Sequence, residues 1–157
     1  MSPIIIRPAT KEDLPAIKEL WQEFMDFHKE RDPFFARVND AHEDFGQFMH
    51  SNLSKTDWLI LVATAGDRVI AYGSATIMSY PPIYVDPRYG YIQDVAVTEA
   101  YRGQGVGRQL FERMVTWFRE KNVSRLELEV AAANEVSQAF WGKIGFKDFT
   151  KKLSMSL

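Results

Sequence analysis

Leu14, Ile17, Leu20, Trp21, Phe24 and Phe27 recur every three or four positions, the period of a helix with one buried face. Thr10 or Asp13 can cap it, and Pro15, which suits a first turn, favours Asp13. A second helical stretch runs roughly from Glu43 to Asn52. The clearest helix follows the stretch YRGQGVG: Val106, Leu110, Met114, Trp117 and Phe118 line one face, widened by Phe111 and Val115. A short fourth helix, from about Asn134 to Ile144, ends at Gly145.

Between these lie shorter apolar segments of strand character. IIIRP (4–8) reads as a buried strand. Residues 57–78 read as two strands around an Ala65–Arg68 turn punctuated by Gly66-Asp67, an antiparallel hairpin. Residues 79–90, rich in proline, read as a loop. YIQDVAVT (91–98) and RLELEV (125–130) read as strands, and Leu153 with SMSL alternates as a last one. The order is β-α-α-β-β-β-α-β-α-β. The helix between 91–98 and 125–130 is long enough for a right-handed crossover, so these two strands can lie parallel. The expectation is an α/β fold with a mixed sheet covered by helices. In 91–98 the large aliphatics Ile92, Val95 and Val97 break period two. A bulge at Gln93–Asp94 restores it, and burial on both faces is the other reading.

Composition narrows the picture. A 157-residue chain, 46% hydrophobic and 25% charged, reads as one globular domain spanning 1–157. With no cysteine there is no disulfide and no thiolate nucleophile, and three histidines at spacings of 14 and 8 form no metal set. A net charge of −2 without a basic block speaks against nucleic acid as a partner. No apolar run is long enough for a membrane span or a signal peptide, so the expected compartment is the cytoplasm.

The glycines carry the chemistry. Gly103, Gly105 and Gly107 alternate at a helix start, where glycine costs about 1 kcal/mol against alanine. Strand, glycine-rich turn and helix N-terminus together make an anion site, because the first helical N–H groups lack internal partners. Arg102 and Arg108 add charge, so a phosphate or pyrophosphate ligand is expected. Neither the dinucleotide pattern G-x-G-x-x-G nor the nucleotide loop G-x-x-x-x-G-K-[ST] fits, since Arg108 and Gln109 stand at the required positions. What remains is R-x-x-G-x-G, at Arg102, Gly105 and Gly107, which standing alone also reads as a loop-to-helix turn with no ligand.

With DVAVTEAYRGQGVG, then LELEV, then Asn134, Ala139, Phe140, Gly145 and Phe146, the chain resembles the GNAT superfamily of N-acetyltransferases over residues 89 to 146. IIIRPATKEDLPAIKEL resembles that family's opening. The resemblance implies a sheet with a bulged fourth strand, splayed from the fifth, and acetyl-CoA as acetyl donor. Val95, Ala96 and Val97 would offer backbone groups to the pantetheine arm. Arg102, Gly103, Gln104, Gly105, Val106, Gly107 and Arg108 would wrap the pyrophosphate. Asn134 would bind the arm at the splay, beside Phe140. The acceptor would be a small-molecule or peptide amine, and the assembly a homodimer.

One departure matters. Trp141 stands where the family's tyrosine offers its hydroxyl to the leaving sulfur, and an indole N–H is no proton donor near pH 7. Asp94, on the strand beside the expected thioester, is the candidate base or amine contact, with an exposed charge or loop cap as the other reading. The strand reads IQD where related polyamine acetyltransferases resemble LED. Glu127 and Glu129 share a strand face and read as structural; His28 reads as a surface or packing residue, with a place in the substrate pocket as the other reading. The expected activity is N-acetyl transfer to a primary amine by direct attack in a ternary complex. The alternative is a protein of this fold that binds or senses acyl-CoA with weak or no catalysis.

Overall fold

The computed structural model describes residues 2–157. Strand β1 (Ile4–Pro8) leads through a 3-10 turn into helix α1 (Leu14–Arg31). Asp13 sits at its start, with Pro15 in the first turn, and its carboxylate takes both Arg7 nitrogens and the Thr10 N–H. Helix α2 (Ala41–Asn52) begins two residues before its expected start. The hairpin forms as expected, β2 (Trp58–Ala65) against β3 (Arg68–Ser79), followed by β4 (Arg88–Val97). Helix α3 (Val106–Glu120), a two-residue β5 (Leu126–Glu127) and helix α4 (Glu135–Ile144) complete the set.

The five strands lie in the order β1-β2-β3-β4-β5, antiparallel except for the β4–β5 pair. This is the expected mixed sheet, with helices on both faces. Ile92, Ala71 and Ala75 pack with Leu110, Met114 and Phe118 of α3. On the other face Tyr72 and Ala96 pack with Ile17 and Leu20 of α1 and Phe45 and Met49 of α2. The loop expected over 79–90 is shorter, because β4 already pairs with β3 from Arg88.

Two strand expectations are corrected. The strand expected over 125–130 contracts to Leu126–Glu127, since β4 offers partners only at Gly90 and Tyr91 before the two strands part. The last strand expected around SMSL is not formed: residues 147–157 are exposed and carry no strand assignment. A strand needs a ladder partner for its backbone. The alternating side chains are present, but no strand among the described residues pairs with them. No helix among the described residues is long and apolar enough to cross a membrane.

Candidate active site

The bulge lies where the sequence pattern puts it. Ser74 pairs with Asp94 and Ala75 with Ile92, so Gln93 is the extra residue. A bulge bends its strand and re-aims side chains. Here Asp94 turns toward the α1–α2 face, where the Tyr72 hydroxyl donates to its Oδ2 at 3.1 Å. Burial pushes the Asp94 carboxyl up to about 6, and the Tyr72 hydrogen bond pulls it partly back. Burial and then the Asp94 charge drive the Tyr72 hydroxyl well above its ordinary range, so it remains a donor. The Ser74 hydroxyl, on the strand position opposite Asp94, is buried without a partner.

The same sheet face is rich in acid and tyrosine toward β5. Tyr91 is pushed up by burial and then by the charges of Glu129 and Asp94. Glu127, paired across from Tyr91, accepts the Tyr80 hydroxyl at 2.5 Å and ion-pairs with Arg125. Glu127 thus has the structural partners expected of it.

The glycine turn follows β4 directly. Gly103 (φ +73°) and Gly105 (φ +83°) are in the left-handed region, and a Cβ on either would meet nothing within 4 Å. The turn therefore opens on free space. From Gly103 onward, the first N–H with a backbone acceptor is that of Gln109, on the Gly105 carbonyl at 3.1 Å. The N–H groups ahead of it, at the positive end of α3, have no backbone acceptor. Gly107 differs: its missing Cβ lets the Phe140 ring approach, which a methyl would meet at 3.1 Å, with Val95 Cγ1 at 3.7 Å. Val95, Gly107 and Phe140 thus come together, from β4, α3 and α4. This open, donor-lined turn beside a bulged strand fits a pyrophosphate-bearing ligand. Val106 is buried under the turn and Arg108 exposed above it. Gln104 donates to the Ala100 carbonyl at 3.1 Å. Arg102 is turned beneath the turn, donating to the Val97 carbonyl and to Glu23.

Asn134 caps α4. Its Oδ1 accepts from the Ser137 N–H at 3.0 Å, and its amide nitrogen lies 3.2 Å from His28 Nε2. It is only 3% exposed. Trp141 packs edge-on against Phe111, Phe140 and Phe146, 8% exposed in the α3–α4 core.

Three residues around this site carried no clear signal in the sequence. Tyr72 reads as an ordinary strand aromatic, and its bond to Asp94 depends on strand register. Glu23 lies on the polar side of a helix pattern. His28 reads as packing, and it does stack against Phe24 and Phe35, yet its second ring nitrogen meets Asn134 from 106 positions away.

Comparison with known proteins agrees with this geometry. A putative [ribosomal protein bS18]-alanine N-acetyltransferase of Bacillus subtilis is 32% identical over 71 residues, covering 45% of this chain and 47% of that protein. The chain spans between about a third and a half of the length of such curated relatives. The BH1408 protein of Bacillus halodurans, solved as a tetramutant, superposes with a TM-score of 0.87 at 24% identity, over 98% of this chain and 99% of that one. A predicted acetyltransferase of Clostridium acetobutylicum, solved with acetyl-CoA, superposes with a TM-score of 0.80 at 19% identity, over 98% and 96% of the two chains. The profile of the acetyltransferase (GNAT) family matches residues 14–146, from the first turn of α1 to the phenylalanine after α4, and the chain belongs to that family.

Proposed function

We propose that this protein transfers the acetyl group of acetyl-CoA to a primary amine, by direct attack within a ternary complex, in the cytoplasm. The observation that carries this reading is the open glycine turn at the start of α3, next to the bulge that aims Asp94 at the opposite face. The N–H groups of residues 103–108 would hold the pyrophosphate, Val95 to Val97 the pantetheine arm through their backbone, and Asn134 its far side. Phe140 would wall the groove. The amine nitrogen bonds to the thioester carbonyl carbon, the carbon–sulfur bond breaks, and CoA leaves as thiolate. A lysine-like amine must first lose a proton, at a cost of roughly 4.6 kcal/mol at pH 7. Asp94 is suited to take it, directly or through water, because burial has brought its pKa close to neutrality. Trp141 supplies no acid to the sulfur. A thiol near pKa 8.5 leaves unprotonated at only roughly 2 kcal/mol disadvantage, so turnover survives that loss.

The test is thiol release from acetyl-CoA in the presence of a panel of small amines, amino acids, aminosugars and peptide N-termini. Release with at least one amine, well above the amine-free rate, is expected. Calorimetric binding of acetyl-CoA with no amine-dependent release would favour the binding or sensing alternative, for which the buried Trp141 is the supporting feature.

We also propose a homodimer built by residues 150–157. Leu153, Met155 and Leu157 are more than four-fifths exposed and alternate with Lys152, Ser154 and Ser156. Among the described residues, no strand pairs with the outer edge of β5. Laid along that edge in a second copy, the apolar row continues Leu126, Leu128 and Val130, while Lys152 meets the side of Glu127 and Glu129. Where two copies exchange these tails reciprocally, the contact closes on a twofold axis. Light scattering should give twice the chain mass, falling to a monomer on deletion of 152–157. A monomeric full chain would sink this arrangement.

A further inference from the structure

Helix α1 packs on the sheet face that carries Tyr72 and Ala96, yet two of its side chains reach the segment of the glycine turn and Asn134. Glu23 gathers three donors from the segment that leads into the glycine turn. Its Oε1 accepts from the Glu99 N–H at 2.8 Å and from Arg102 Nη2 at 3.0 Å, and its Oε2 accepts from the Thr98 hydroxyl at 3.0 Å. Arg102 also donates to the Val97 carbonyl and lies over the Phe27 ring of α1. Strand end, 3-10 turn and first turn residue are thus tied to a single carboxylate.

One turn further along, His28 ends a chain of hydrogen bonds whose direction is set by backbone at both ends. The Ser137 N–H donates to Asn134 Oδ1, which leaves the Asn134 amide nitrogen as a donor. That nitrogen faces His28 Nε2, while His28 Nδ1 faces the Phe24 carbonyl at 2.8 Å. A carbonyl can only accept, so Nδ1 carries the hydrogen and Nε2 is left to accept from Asn134. His28 takes one of the two amide hydrogens of Asn134 and leaves the other for a ligand.

We propose that Glu23 and His28 are positioning residues: through them α1 sets the pyrophosphate turn at one end of the cofactor groove and the Asn134 amide at the other. This rests on the acetyl-CoA reading above. Neither residue touches the reacting atoms; each acts through groups it holds. The two ends can be probed separately. CoA spans the whole groove, whereas 3′-phosphoadenosine 5′-diphosphate carries the pyrophosphate without the arm.

Four variants decide it, each checked for wild-type thermal unfolding. Glu23→Leu keeps volume and loses the acceptors, while Glu23→Gln keeps an acceptor. His28→Phe keeps the ring stack and loses Nε2, while His28→Gln keeps an acceptor for Asn134. Calorimetry should show Glu23→Leu weakening both probes about tenfold, although it removes a negative charge that repels them. His28→Phe should weaken CoA about tenfold and leave the armless probe within about twofold of wild type. Both Gln variants should recover most of the loss. The proposal is overturned if wild type binds both probes and the Leu and Phe variants bind them equally well. It is also overturned if Glu23→Leu binds tighter, or if His28→Phe weakens both probes alike. A wild-type protein that binds neither probe defeats the acetyl-CoA reading itself, a result that none of the variant outcomes can imitate.

Discussion

Gly105→Asp is expected to abolish measurable CoA binding at micromolar protein while the chain still unfolds cooperatively near the wild-type temperature. The argument has a steric part and an electrostatic part. Gly105 sits at φ +83° with open space where a Cβ would go, so aspartate meets no clash and carries only the left-handed backbone cost of roughly 1–2 kcal/mol. Asp is among the side chains that tolerate this region best. Its carboxylate, however, would stand beside the N–H groups proposed to hold the pyrophosphate, and would compete for them. A pyrophosphate charge about 4 Å from that carboxylate is repelled by roughly 4 kcal/mol at an effective dielectric near 20, a loss of about three orders of magnitude in affinity. Gly105→Ala separates the two parts: it carries the strain without the charge and should lose far less. Calorimetry with CoA, together with thermal unfolding of both variants, reads the difference. Undiminished CoA affinity in the Asp variant would remove the turn from the binding site.

Asp94→Asn should move activity and stability in opposite directions. The folded pKa of Asp94, about 6, lies above the ordinary carboxyl value near 3.9, and burial is the main cause. The folded chain therefore holds this proton more tightly than the unfolded chain does. The stabilisation this gives is fully present below about pH 4 and is lost as pH rises through 6. At pH 7.5 the buried carboxylate costs at most roughly 3 kcal/mol, and an amide of the same shape escapes that cost. The Tyr72 hydroxyl can still bond the amide. Thermal unfolding should thus rise by about 5 °C at pH 7.5 and change little at pH 4. Activity should fall. If Asp94 receives the amine proton, wild-type kcat/KM climbs as pH passes about 6, and the Asn variant loses that limb together with about 10²-fold in rate. A variant that is more stable and equally active from pH 6 to 9 would show that Asp94 serves only the fold.

Local pattern carried most of the architecture. Each helix occurs where a 3.6-residue period of apolar side chains occurs, and the caps follow local chemistry: Pro15 in the first turn of α1, Gly145 with φ +125° after α4. The spacing of Ile92, Val95 and Val97 was compatible with a bulge at Gln93–Asp94 or with burial on both faces, and the register of β3 against β4 selects the bulge. The glycine turn was legible because positive φ and close approach leave few residue choices, so the need shows in the residue type.

What the sequence could not reach depends on partners distant in the chain. RLELEV and SMSL have the alternation of strands, but a strand exists only where another backbone accepts its hydrogen bonds, and alternation does not say whether one is there. β5 keeps two residues because β4 bends away after Tyr91, and the tail keeps none within the chain. Asp94 was visible as a candidate from its place on the strand, whereas its pKa near 6 is a property of the fold: burial raises it, and the hydroxyl of Tyr72, two positions along β3 from the residue paired with Asp94, offsets part of the rise. The same holds for Glu23 and His28, ordinary residues of an amphipathic helix until α1 is laid across the sheet and set against Thr98, Arg102 and Asn134. The sequence by itself determined the four helices, the hairpin and the glycine turn, because each answers to forces acting over a few residues. Tertiary structure alone decided which side chains meet, because hydrogen bonding and desolvation act through space and take no account of separation along the chain.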